Sequence, residues 1–285
     1  MCSFTSNFFK QREGKMKYLI AVDLEGLNFV AGEPYKALGE SNDYQIAKHE
    51  AAKEINAVVS ALYDGGASEV YVWDNHGSGH NIDFAEVDPR ATDVGLDACP
   101  LERMNFADKY GIDGGVVFLG YHSKEGTLNG VLAHTYSSKT IQYYKINGVQ
   151  RGEFYIDSNI ALNKNLQPLL LASDDKCVNE ASEVSPDVLT VITKYGTGRN
   201  SANFRPAQDV YEELYSTTKN AMTSSKKFTK LSFPATIEIR YSRTETAAEV
   251  KSKIYQKYGF ATEYGEDAHV IKFTASKIED IKMFL

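Results

Sequence analysis

Five short stretches of the chain carry carboxylates and imidazoles in settings where they could act on one another. Asp23 and Glu25 stand in VDLEG, His76 in WDNH, His122 in LGYH, His134 in GVLAHT, and Glu153 in NGVQRGE. Residues i and i+2 of a strand point to one face, so the carboxylates of Asp23 and Glu25 converge. Like charges held together cost free energy unless a cation or a proton neutralises them. The pair is therefore either part of a metal site or a solvated strand end with two exposed acids. His76 and His122 each follow a predicted strand at its carboxyl end, where open α/β sheets bind ligands. Two such histidines near an Asp-x-Glu pair point toward metal. His134 falls inside a predicted strand of the same sheet. Glu153 follows Gly152 at a helix start, where it serves as a ligand or only as a partner of the helix dipole, worth about 0.3–1 kcal/mol.

Other reactive residues lack a supporting pattern. His80 could pair with His76 as H-x3-H only on a helix, and Gly77-Ser78-Gly79 argues against one. His49 lies on a predicted helix with a solvated or packed role, and His269 opens a strand far along the chain. Cys2, Cys99 and Cys177 are too irregularly spaced for a disulfide framework or a zinc ribbon. Cys99 has neither a C-x-x-C partner nor a base. Tyr195-Gly-Thr-Gly-Arg199 lacks the third glycine of a dinucleotide loop and the lysine of a P-loop. It reads as a turn, with Arg199 available to a substrate carboxylate.

These residues must be carried by elements that the hydrophobic pattern outlines. Lys17 to Asp23 is a near-continuous apolar run, as in a strand buried on both faces. Asp43 to Tyr63 places Ala47, Ala51, Ile55, Val58 and Leu62 on one helical face, and Gly65-Gly66 stops it. Glu69 to Asp74 is the next strand, which completes a βαβ unit with a parallel, right-handed crossover. Pro89 to Pro100 is an Asp-rich loop. Further strands are expected over Gly114 to Tyr121, Val131 to Ser137, Ile141 to Ile146, Gln167 to Ala172 and Val188 to Tyr195. Asn147-Gly148 is a tight-turn signal. Helices are expected over Glu153 to Asn165 and Pro206 to Met222. After a polar linker, Thr223 to Lys230, come a strand (Thr236 to Tyr241), a helix (Thr244 to Tyr258) and a strand (His269 to Thr274). The expected fold is a three-layer α/β/α protein with a mainly parallel central sheet over residues 16–222, plus a smaller α+β subdomain over 228–285. Residues 1–15 lack the order of a secretory signal and read as a flexible N-terminal extension.

Composition narrows the class. At 285 residues, with 42% hydrophobic and 24% charged, the chain is an ordinary globular mixture rather than a disordered, collagen-like or coiled-coil one. Its net charge of −7 argues against nucleic-acid binding, and no apolar run reaches the roughly 18–20 residues of a membrane span. The expectation is a cytoplasmic protein with neither nucleic-acid nor membrane partners.

Taken in order, the five stretches resemble the motifs of the binuclear-zinc D-aminopeptidases, the family of dipeptide-transport-operon metallopeptidases. The resemblance covers most of the chain from Met16, and includes KYGTGRNSA before the Pro206 helix and FPATIEIRYSRTETAAEV in the tail. It implies an aminopeptidase that hydrolyses short peptides bearing an N-terminal D-amino acid, assembled as a ring-like homo-oligomer. It also implies Asp23, Glu25, His76, His122 and Glu153 as metal ligands, with Asp23 bridging, and His134 at the catalytic centre. Five such ligands exceed the roughly four positions of one tetrahedral zinc, whereas two ions sharing a carboxylate use them all. Zinc suits this mixed set, and manganese or cobalt also fit. The expected chemistry is attack on the peptide carbonyl by a hydroxide bridging two divalent metals, with His134 as acid/base or nucleophile. Ser123-Lys124-Glu125 after GYH, and the polar, aromatic helix after Glu153, depart from the family pattern and bear on substrate choice. Two alternatives stay open: a metal-dependent hydrolase of another amide or ester bond, and a non-catalytic metal- or peptide-binding protein.

Overall fold

The apolar run at Lys17–Val22 becomes a strand hydrogen-bonded on both sides to parallel neighbours. The computed structural model describes residues 16–95, 100–184, 186–224 and 227–285. The extension over residues 1–15 and Cys99 lie outside the described residues. The chain runs β1 (Lys17–Val22), α1 (Asp43–Asp64), β2 (Glu69–Asp74), β3 (Ala91–Asp93), α2 (Phe106–Tyr110), β4 (Gly115–Leu119), β5 (Ile141–Ile146), β6 (Val149–Gln150), α3 (Glu153–Asn163) and β7 (Pro168–Asp174). It continues as α4 (Asp175–Val178), β8 (Leu189–Gly198), β9 (Ser201–Phe204), α5 (Ala207–Thr223), β10 (Ala235–Tyr241), α6 (Thr244–Tyr258), β11 (Glu263–Tyr264), β12 (Val270–Ala275) and α7 (Ile278–Lys282).

Among the described residues, two sheets form. The larger has seven strands in the order β3-β2-β1-β4-β7-β8-β9, and only the edge strand β9 runs antiparallel to its neighbour. This is the mainly parallel central sheet that the βαβ pattern implies. Side chains alternate across β1: Tyr18, Ile20 and Val22 pack with α1 and α5, while Leu19 and Ala21 face the core shared with α3. Both faces of the strand are thus dry, which explains its lack of polar positions. No described helix is long and apolar enough to cross a membrane.

The smaller sheet is antiparallel, in the order β11-β12-β10-β5-β6. It draws the hairpin β5–β6 from within residues 16–222 and adds strands from the tail. Asn147 and Gly148 close that hairpin with φ of 51° and 79°, the left-handed pair a two-residue turn needs. Helix α3 lies between the two sheets and is buried all round, from Glu153 to Leu162. The second outer layer is therefore a helix backed by a sheet rather than helices alone.

One expected strand is absent. Val131 to Ser137, expected as a strand, is a loop, with positive φ at Leu132 (52°) and Tyr136 (57°). Its N–H groups go to partners outside any ladder: Val131 to Asp174 Oδ2 (2.8 Å), Leu132 to Arg199 O (2.8 Å), His134 to Ser123 O (3.2 Å) and Tyr136 to Glu153 Oε1 (2.6 Å). A backbone satisfied in this way has no need of a sheet. Conversely, the Asp-rich loop from Pro89 holds the short edge strand β3, paired with β2.

The buried face of α1 also carries acid. Glu54 is fully buried; its Oε1 accepts the Asn28 N–H at 2.8 Å, and its Oε2 has no hydrogen-bond partner. Nearby, the Lys194 ammonium donates to the carbonyls of Glu25, Leu27 and Val30 at 2.5–2.7 Å, so the two residues pin the loop that follows β1. Burial pushes Glu54 up to about 8, against the opposing pull of Asn28. A carboxyl group with a raised folded pKa keeps a proton that the unfolded chain has already released, so stability falls as pH rises from the ordinary carboxyl range toward 8. Glu54→Gln retains an acceptor for Asn28 and removes that loss. Thermal melts should show a stability advantage for the variant that grows between pH 5 and pH 8; a constant difference would contradict this account.

Candidate metal centre

The site begins where β1 and β4 end. Asp23 donates its N–H to Leu119 O at 2.8 Å, and Gly26 donates to Gly120 O at 2.7 Å, so the two strand ends cross at bare backbone. A Cβ on Gly26 would meet Tyr121 O at 1.9 Å. One on Gly120, at φ +71°, would meet Asp23 O at 2.0 Å. The close approach turns Asp23 and Glu25 toward His122, which follows β4. His76 follows β2 on a loop organised by Asp74, whose side chain accepts from the N–H groups of His76, Asn81 and Ile82. Glu153 opens α3, and His134 arrives on the loop described above.

The six residues face one another. His76 Nδ1 lies 2.9 Å from Asp23 Oδ1 and 3.0 Å from Glu25 Oε2. His122 Nε2 lies 3.4 Å from Asp23 Oδ2 and 3.1 Å from Glu153 Oε1, and His134 Nε2 is 3.8 Å from that same Glu153 oxygen. Two groups result, Asp23/Glu25/His76 and His122/His134/Glu153, each with its candidate ligand atoms within 4.8 Å of one another. Asp23 stands between them, with one oxygen toward each. The His122 and His134 rings stack at 3.8 Å with 12° between planes. Backbone carbonyls settle their tautomers: Nδ1 of His122 donates to Ser123 O (3.1 Å) and that of His134 to Leu132 O (2.8 Å). Each Nε2 is left facing the carboxylates.

Electrostatics show what the cluster requires. Burial and the neighbouring Glu25 raise the Asp23 carboxyl, which the histidines only partly offset. Burial pulls His76 down, but Glu25 and Asp23 outweigh it and hold the imidazole well above its ordinary value. Burial raises Glu153, yet His122 and His134 bring it below the usual carboxylate range. Burial and the adjacent His122 lower His134. Three buried carboxylates thus call for positive charge among them, a demand a divalent cation meets. Two buried atoms, His122 Nε2 and Glu25 Oε2, make no well-aligned hydrogen bond, although Glu153 Oε1 and His76 Nδ1 lie 3.1 and 3.0 Å from them. Buried polar atoms paired so poorly are costly, and here they have the donor types and the convergence of ligands. The residues therefore fit divalent metal.

All six line one cleft of about 390 Å³, which Arg103, Tyr136 and Arg199 also line. Other sequence candidates lie elsewhere. His80 is exposed and in neither group; His49 pairs with Glu86 at 2.9 Å on the surface; His269 donates to Tyr241 O beside the second sheet. Cys177 is buried and free. Sequence reasoning missed the Tyr136 N–H on Glu153, which no pattern signals, and Asp157, whose spacing of four from Glu153 on α3 was visible.

Carboxylates and imidazoles gathered beside the carboxyl ends of a mainly parallel α/β sheet form a candidate metal centre, and the family comparison gives its class. The sequence model of the D-aminopeptidase family matches residues 16–281, and the chain belongs to that family. The resemblance drawn from the five motifs thus holds. A D-aminopeptidase of Bacillus subtilis (strain 168) is 28% identical over 189 residues, spanning 65% of this chain and 66% of that protein. In structure, the chain is similar to the Zn-dependent D-aminopeptidase DppA from Bacillus subtilis, described as a self-compartmentalizing protease. The match has a TM-score of 0.80 and 22% identity, and covers 94% of each chain. That likeness shows a shared fold.

The strand crossing is testable. Gly120→Ala adds a Cβ against the Asp23 carbonyl, a clash that comes on top of the backbone strain of about 1–3 kcal/mol. Gly126→Ala, at φ +81° with open space around it, is the matched control. Urea melts should rank Gly120→Ala well below Gly126→Ala, with bound metal lost in the former alone; equal stability would show that the crossing tolerates a side chain.

Proposed function

We propose that the protein is a metal-dependent aminopeptidase that releases an N-terminal D-amino acid from short peptides. Asp23, Glu25, His76, His122 and Glu153 would hold two divalent ions, zinc foremost, and His134 would be the catalytic side chain. The observation that carries this reading is the position of Asp23, with one oxygen toward each group of candidate ligands. Membership of the D-aminopeptidase family supports it, as does the fold shared with a zinc-dependent relative. Bound in this way, the ions supply a lowered pKa for bound water and polarisation of a carbonyl oxygen.

The chain's own residues account for the rest. His134 Nδ1 is fixed on Leu132 O, which leaves Nε2 open to the cleft, and burial beside His122 favours its neutral form. A neutral Nε2 takes the proton from the attacking water and returns it to the leaving nitrogen. The carboxylate-rich end of the cleft suits a free α-amine, which restricts cleavage to the first residue. Arg199, on the same cleft, suits the carboxylate of a short peptide. We extend the self-compartmentalizing character of DppA to this chain as a ring-like homo-oligomer that admits only short substrates.

A panel of D- and L-aminoacyl amides and dipeptides, run with zinc, manganese and cobalt, tests the function. Cleavage of D-substrates is expected; cleavage of L-substrates alone, or of none, would overturn it. His134→Ala should retain bound metal and lose about 10²–10⁴-fold in kcat. Full turnover in that variant, or loss of one metal equivalent, would show His134 to be a bystander or a ligand.

A further inference from the structure

Asp157 lies one turn beyond Glu153 on α3, on the same helical face, and is fully buried. Its carboxylate gathers five donors. Oδ1 accepts from Arg103 Nε at 2.7 Å and from the Tyr136 hydroxyl at 3.3 Å. Oδ2 accepts from Arg103 Nη2 and the Tyr121 hydroxyl, both at 2.7 Å, and from Asn75 Nδ2 at 3.2 Å. The Tyr121 hydroxyl in turn accepts from Asn75 Nδ2 at 2.8 Å. The Arg103 guanidinium is held over Trp73 and Tyr136, at 4.9 and 5.4 Å from the ring centroids.

The identity of these donors is what matters. Asn75 immediately precedes His76, and Tyr121 immediately precedes His122. Tyr136 donates its N–H to Glu153 Oε1 at 2.6 Å. Residues adjoining or holding candidate ligands in both groups, just beyond β2 and β4 and on the 131–137 loop, thus meet on one carboxylate carried by the helix that bears Glu153. A buried ion pair contributes little net stability compared with apolar packing of the same volume, so stability alone does not account for five donors on one acid. Groups that orient metal ligands commonly form such networks.

We infer that Asp157 is a positioning residue that holds the Asp23/Glu25/His76 group and the His122/His134/Glu153 group at a fixed spacing. The inference rests on reading those two groups as a metal centre. It assigns Asp157 no contact with metal or substrate; it acts through Asn75, Tyr121 and Tyr136.

Zinc titration of the full-length chain tests it. Asp157→Asn removes the charge that Arg103 needs, and Tyr121→Phe removes a single hydroxyl while leaving the Arg103–Asp157 pair intact. Tyr144→Phe is the control: it deletes a buried hydroxyl that has no hydrogen-bond partner and does not touch Asp157. Wild type and Tyr144→Phe should bind two zinc ions per chain with the same affinity. Asp157→Asn and Tyr121→Phe should bind zinc 10–100-fold more weakly, with a fall in kcat larger than any change in KM. The metal-free melting temperature of Tyr121→Phe should stay near that of wild type, which a merely structural role would not produce. Wild-type zinc affinity in both variants, with only earlier melting, would reduce Asp157 to a packing residue and leave the metal centre standing. A wild-type chain that binds no divalent metal would remove the metal centre itself, and this inference with it.

Discussion

Buried negative charge is the constraint around which this structure is organised. Asp23, Glu25 and Glu153 are all withdrawn from water, and a carboxylate in such a place is tolerable only beside positive charge or as a neutral acid. His76 and His122 are placed where they answer that demand, and Asp23 shares its two oxygens between the groups. The rest of the architecture serves to bring these residues within reach of one another. The large sheet contributes most, because its parallel strands end at one edge, and the residues after β1, β2 and β4 therefore emerge side by side.

The crossing of β1 and β4 gives the arrangement its sharpness. The Tyr121 carbonyl lies so close to Gly26, and the Asp23 carbonyl so close to Gly120, that a Cβ on either glycine would collide. The loop that follows Glu25 would otherwise be an exposed turn. It is pinned from beneath by the Lys194 ammonium on three carbonyls and by Glu54 on the Asn28 N–H. A loop so anchored orders its side chains before any ligand arrives, which reduces the entropy lost on binding.

Helix α3 explains an oddity of composition. A helix of sequence EFYIDSNIALN has no clean apolar stripe, and on a protein surface it would be poorly amphipathic. It needs no stripe, because it is enclosed by the large sheet on one side and the small sheet on the other. Three of its polar positions meet partners instead of solvent: Glu153 faces the histidines, Asp157 gathers donors, and Asn159 accepts the Leu231 N–H at 2.7 Å. The small sheet, made of an internal hairpin and strands from the tail, closes over this helix and so shields the network around Asp157.

Legibility in the sequence followed the range of the interaction. Strands β1 and β2 and helices α1, α5 and α6 were readable because apolar period and breakers act over a few residues. Four of the five stretches, those with Asp23, His76, His122 and Glu153, were readable because each adjoins the end of a strand or the start of a helix. The 131–137 segment misled because Val131, Thr135 and Tyr136 are residue types that favour strands, while its N–H groups find partners on Asp174, Arg199, Ser123 and Glu153, all distant in sequence or on other elements. The joining of β5 to β10 across the composition break near Thr223 was equally hidden, since pairing between remote strands leaves no local mark. The residue types, their order and the elements that end in them are properties of local sequence. Their division into two facing groups, the shared role of Asp23 and the gathering of Asn75, Tyr121, Tyr136 and Arg103 on Asp157 arise from contacts between segments 19 to 99 residues apart. Such contacts exist only once the chain has closed on itself.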